Sequence, residues 1–238
     1  MRKVLLLVVI GVALAAGALG CAGGGGAPAP TSTPEAKRIQ EIGGKQWTQV
    51  KTDSPLEIVD HKLFFTGLGE TAFVIGELEN KGSGPVTDVK ISFKGYAAEG
   101  KLLDTREGDA PVAFIAAGAK APFKIAVDLR EVAKYELAVE SKPAESVPEN
   151  KLVVSDAEMG APKSGYVWVT GKVTNNGSET VQSVEMITVL RDASGAVVEV
   201  DAQKLTDPLE AGKTASFKFM VMSRDATKLE VTAQPARD

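Results

Sequence analysis

The sequence predicts an all-β protein. Apolar and polar residues alternate with period two over many short runs, the pattern of strands with one buried face. Breaks rich in Gly, Pro, Asn and Ser separate the runs, at Asn80–Pro85, Glu99-Gly100, Asn175–Glu179 and Ser194-Gly195. The whole pattern then occurs twice. Several short strands at this spacing, duplicated, predict two tandem immunoglobulin-like antiparallel β-sandwiches. They follow a signal peptide and a flexible tether.

The leader comes first. Arg2 and Lys3 make a positive start, Val4 to Leu19 an apolar run, and the small residues Ala18 and Gly20 lead into Cys21. These are the marks of a secretory signal. The apolar run is short for a bilayer-spanning helix, which needs about 20 residues. Ala18-Leu19-Gly20-Cys21 resembles the lipobox of bacterial lipoproteins, with Ala in place of the usual Leu at its first position. The resemblance implies removal of residues 1–20, a diacylglycerol thioether on Cys21, and anchoring to the bacterial cell membrane or outer membrane. Ala22 rather than Asp after the cysteine favours the outer membrane where the cell has one. Two or three acyl chains hold far better than one, at roughly 0.8 kcal/mol per buried methylene.

Residues 21–56 read as the lipidated cysteine and tether. AGGGGAPAPTST, at 22–33, has too little apolar surface to offset backbone ordering. As a coil, the segment spans roughly 30 Å root mean square. Glu35 to Ile42 is expected to form a helical turn or two, stopped by Gly43-Gly44. Trp47 is a candidate cover for an apolar face. GGGG is no phosphate loop, because no strand precedes it and no Gly-Lys-Ser/Thr follows.

The first sandwich is expected over 57–140, a linker over 141–151 and the second sandwich over 152–238. With residue 59 set against 154, the halves align without a gap for about forty positions. Ala72 to Ser83 faces Val167 to Ser178, and Pro85 to Ile91 faces Thr180 to Met186. GAKAPFKI from Gly118 matches GKTASFKF from Gly212 after a one-residue shift. Two units of roughly 85–95 residues are too few and too long for a solenoid. Inward positions are expected at Val74, Gly76 and Leu78, at Val89, Ile91 and Phe93, at Phe123, Ile125 and Val127, and at Phe217, Phe219 and Val221. Gly76 and Gly171 allow close packing, and the Asn-x-Gly turns supply unusual dihedrals. Leu129 to Lys134 is expected to make a helical turn, with closing strands at Tyr135 to Val139 and Leu229 to Thr232.

The pattern Gly-x-Val-x-Asn-x-Gly, then a Val-rich strand, a tyrosine–aspartate turn and Gly-x-x-x-x-Phe, resembles bacterial FxLyD domains. The first copy has Phe93-Lys94-Gly95-Tyr96-Ala97, keeping Phe and Tyr of the name motif. The second has Thr188-Val189-Leu190-Arg191-Asp192, keeping Leu and Asp. The resemblance implies an envelope-associated sandwich and no established activity.

Composition narrows the function. Net charge is −4, and loss of Arg2 and Lys3 makes the mature chain more acidic. That is a poor match to nucleic acid or anionic headgroups. Cys21 is the one cysteine, which leaves no disulfide or cysteine metal site, so the domains rest on their hydrophobic cores. His61 is the one histidine. Beside Asp60 at a strand start, it reads as a surface residue. No Gly-x-Ser-x-Gly, Ser-x-x-Lys or His-Glu-x-x-His occurs. Glu145, Glu149, Asp156 and Glu158 near the linker lack the Asp-x-Asp spacing of a calcium site and read as a solvated charged stretch. No catalytic residue, metal site or cofactor is expected. Phe73, Tyr166 and Trp168 are the candidate interaction surface, with Ile75, because alternation turns them outward; the competing reading is that a terminal strand or loop covers them, or that the two copies pack on each other. The expected function is a non-catalytic protein-interaction or scaffold subunit of the cell envelope, bound to the membrane through Cys21 and to an envelope protein partner. The alternative is a carbohydrate-binding or adhesin module that holds polysaccharide.

Overall fold

The computed structural model describes residues 40–42, 44–65, 71–222 and 224–237. Cys21, the lipobox residues Ala18, Leu19 and Gly20, and the signal peptide lie outside them. The described residues belong to one compact unit and are all-β.

The first half begins with β1 (Gln40–Ile42), β2 (Lys45–Val50), β3 (Leu56–Phe65) and β4 (Thr71–Asn80). It continues with β5 (Val86–Tyr96), β6 (Leu102–Asp109), β7 (Phe114–Ile115), β8 (Lys120–Asp128) and β9 (Lys134–Pro143). One sheet has the order β3-β4-β8. The other runs β1-β2-β9-β5-β6, with β7 also on β5. The second half contains β10 (Leu152–Met159), β11 (Tyr166–Asn175), β12 (Val184–Arg191), β13 (Val197–Leu205), β14 (Thr214–Met222) and β15 (Lys228–Pro235). Its sheets are β10-β11-β14 and β13-β12-β15. The sequence repeat is thus a repeat of strand order, with β3-β4-β8 matching β10-β11-β14 and β6-β5-β9 matching β13-β12-β15.

Alternation sets the two cores. Val74, Leu78, Phe93, Phe123, Tyr135 and Leu137 are buried in the first, with Phe93 stacked on Tyr135 at 5.6 Å between ring centroids. Val169, Met186, Leu190, Phe217 and Phe219 fill the second, with Phe217 stacked on Phe219. Glycine at 76 and 171 is required by close approach. A Cβ on Gly76 would lie 2.2 Å from the Asp60 carbonyl oxygen, and one on Gly171 2.5 Å from Phe217 Cζ.

Four expectations change. Gln40–Ile42 is a strand rather than a helical turn, and with Lys45–Val50 it places regular structure inside the segment read as tether. β2 pairs in parallel with β9, Trp47 opposite Tyr135, whereas the other strand pairs among the described residues are antiparallel. Leu129–Lys134 forms a turn closed by Val132 N–H donating to the Leu129 carbonyl, with Glu131 at φ 55°, not a helical turn. The Asn-x-Gly turns are held by side chains, since neither Gly82 nor Gly177 has a positive φ. Asn80 Nδ2 donates to the Gly84 and Ile115 carbonyls, and its Oδ1 accepts from Gly82 N–H. Asn175 repeats the set with Glu179, Leu209 and Gly177. Both asparagines are buried, which satisfies loop carbonyls that would otherwise be orphaned.

Candidate functional site

The outer face of the β3-β4-β8 sheet and that of the β10-β11-β14 sheet are equivalent surfaces with opposite fates. In the first, Phe73 pairs with Ala126 and Ile75 with Lys124 across the strands. In the second, Trp168 pairs with Met220 and Thr170 with Lys218. The same lysine-over-aromatic contact results in each. Lys124 Nζ lies 4.5 Å from the Phe73 ring centroid, and Lys218 Nζ lies 4.6 Å from that of Trp168. An ammonium over a ring face is held by the ring quadrupole.

The first face is closed by the second half of the chain. Ile75, Ile187, Val189, Val197 and Val200 form a separate buried cluster, with Phe64, Phe73 and Val112 packed against it. Phe73 and Ile75 are therefore not an open interaction surface. Their outward direction is correct for the isolated sheet, but a second sheet lies above them. Charges lock the contact. Glu199, 1 % exposed, accepts from Lys124 Nζ at 2.5 Å and from Arg224 Nε at 2.7 Å. Arg224 also stands over the Phe64 ring. Arg191 bridges Glu77 at 2.7 Å and Glu230 at 2.8 Å, and Lys62 bridges Asp192 at 2.5 Å. Lys62, with a serine hydroxyl from Ser194, holds the Asp192 carboxyl well below the usual carboxylate range. At the other end of the junction, Gln234 Nε2 donates to the Pro111 carbonyl and its Oε1 accepts from Ala113 N–H.

The second face is open. Trp168 is 49 % exposed, Tyr166 39 % and Met220 53 %. The inward residues between them, Val167, Val169, Phe219 and Val221, are buried, so these side chains stand on a rigid sheet. Lys218 and Met220 were not among the expected residues. The alignment of GKTASFKF with GAKAPFKI held the signal, since it sets Lys218 against Lys124.

His61 is buried, not on the surface. β3 shifts register between Ile58 and Asp60, which turns His61 inward where strict alternation would place Asp60. Its Nε2 shares a 2.8 Å hydrogen bond with the Tyr135 hydroxyl. Trp47, 7 % exposed, stands edge-on to the His61 ring at 4.2 Å. Burial pushes the imidazole down to about 4 and the Tyr135 hydroxyl up. The trio is a packed core contact in which the ring nitrogen faces the hydroxyl of another buried side chain. Among the described residues no three His, Cys, Asp or Glu side chains gather to hold a metal. Asp156 is taken by Lys172 at 2.9 Å and Glu149 by Lys151.

No protein-family model and no curated protein matches the chain. Among solved structures, red sea bream transglutaminase aligns with 77 % of this chain and 29 % of its own, at 11 % identity and TM-score 0.25. Exo-chitosanase CsxA of Amycolatopsis orientalis aligns with 74 % and 26 %, at 14 % identity and TM-score 0.27. Bacteroides uniformis β-glucuronidase aligns with 70 % and 24 %, at 14 % identity and TM-score 0.26. The chain spans less than a third of the length of each, and these likenesses carry no functional inference.

Proposed function

We propose that this is an exported, lipid-anchored envelope protein whose FxLyD-like, immunoglobulin-like sandwiches act as a non-catalytic protein-interaction or scaffold module. One observation supports the interaction reading above others. Tyr166, Trp168 and Met220 expose a contiguous apolar patch on a regular sheet, while the matching patch of the first half is covered by protein. Exposed aromatics on a rigid frame are the residues that anchor protein interfaces. The polysaccharide reading draws on the same Trp168. Lys218 lies over one face of this ring, so a sugar would have to stack on the other.

Membrane attachment rests on Cys21 and the residues before it. Metabolic labelling with an alkynyl fatty acid should mark the wild-type protein and leave Cys21→Ser unmarked. Persistent labelling of that variant removes the lipoprotein reading. In-cell crosslinking of the anchored protein should give a protein adduct that Trp168→Ala loses. Retention on envelope polysaccharide with no protein adduct would move the assignment to the carbohydrate-binding module.

A further inference from the structure

The chain carries its own example of what the Trp168 face binds. Phe73 with Lys124, and Trp168 with Lys218, occupy equivalent positions with the same ring-to-ammonium geometry. Over the first pair sits a sheet edge and face of branched aliphatic residues, Ile187, Val189, Val197 and Val200, with the buried carboxylate of Glu199 on the lysine. Nothing in this chain's described residues covers the second pair.

From this we infer that the Trp168 face docks a β-sheet face of a different protein, one carrying branched aliphatic side chains around a carboxylate that pairs with Lys218. The inference rests on the interaction reading above and adds the partner's chemistry. Apolar contact buries Trp168, Tyr166 and Met220. The carboxylate replaces water on Lys218 as the contact closes, as Glu199 does on Lys124.

A second copy of this chain offers no free aliphatic face of this kind. Its own aliphatic face, Ile187 to Val200, is already closed against its first half. The equivalent face of that first half has Ser92 where Ile187 stands and Lys94 where Val189 stands. Lys94 is exposed and would oppose Lys218. The polar β5 face thus ends the stack at one side, and the apolar β11 face leaves it open to a foreign sheet at the other.

The test uses the full-length anchored protein with a photo-crosslinking amino acid at Met220, and the same at Lys94 as a control. Adduct peptides are sequenced by mass spectrometry. The expected result is one partner protein from position 220 and not from 94. Its crosslinked peptide alternates branched aliphatic residues with polar ones and holds an Asp or Glu. Lys218→Glu should cut the adduct about tenfold or more, Lys218→Arg should keep it, and Lys substituted for the partner's carboxylate should restore it in Lys218→Glu. Lys218 is exposed, so an unchanged Tm in both variants shows that folding is intact. A protein adduct indifferent to the charge at 218, or an adduct to a second copy, overturns this inference and leaves the interaction reading standing. No protein adduct from 220 overturns both.

Discussion

His61 shows how a single register shift changes a residue's chemistry. The imidazole stays neutral in the native chain down to about pH 4, whereas in the unfolded chain it protonates near 6.5. Between those values the unfolded state binds a proton that the native state refuses, so stability falls as pH falls through this window and levels below it. The loss from pH 7.5 to 4.5 is about 2–3 kcal/mol. Urea unfolding at the two pH values should show it, and His61→Gln should flatten the difference. An equal acid loss in His61→Gln would mean the imidazole does not drive it. Asp192, held low by Lys62, and Asp128, held at about 2 by Arg130, lose their stabilising ionised form only as pH falls below the ordinary carboxylate range. Their contribution therefore lies beneath the His61 window. At the turns, Asn175→Ala strands two carbonyls and one N–H together and is expected to cost about 2–3 kcal/mol, read as a lower urea midpoint. A cost below 0.5 kcal/mol (roughly a neutral surface change) would show that water replaces the amide.

At the scale of elements, β2 is the addition that sets the halves apart. It lies parallel to β9 and brings Trp47 over His61. Its counterpart is missing in the second half, where β15 is a sheet edge and no strand is present over 144–151. Lys228 and Glu230 on that edge discourage further strand pairing. Removing the Trp47 indole opens the pocket to water. Trp47→Ala should therefore raise the His61 pKa from about 4 toward 6.5, followed by NMR titration, and speed amide exchange over 45–50. A His61 pKa that stays near 4 would assign the burial to Tyr135 and the sheet alone. Period-two alternation predicted β4, β5, β8, β11 and β14, but not this strand. A short strand whose partner lies some 90 residues away shows no alternation of its own to find.

Across the whole molecule, the junction between the halves is a third core with buried charge. Glu199 takes two cations, and Arg191 is shared by Glu77 and Glu230. Removing one partner from such a set leaves the others desolvated and unpaired, at about 3–5 kcal/mol. Glu199→Ala should accordingly lower the thermal midpoint and split one calorimetric transition into two, as the halves lose their coupling. A single transition at the wild-type midpoint would show that the aliphatic cluster holds the halves by itself.

The amino-acid sequence alone determined the all-β class, the duplication, the inward faces at Val74, Phe93, Phe123 and Phe217, and the outward direction of Phe73 and Trp168. These follow from local alternation, which one strand carries within itself. Only the tertiary structure decided that Phe73 is covered and Trp168 open, that His61 is buried, and that Trp47 closes the first core. Alternation says which way a side chain points from its own sheet. What lies above that face depends on Ile187, Val189 and Glu199, more than a hundred residues away, and on a bulge in β3 that the pattern of side chains does not announce.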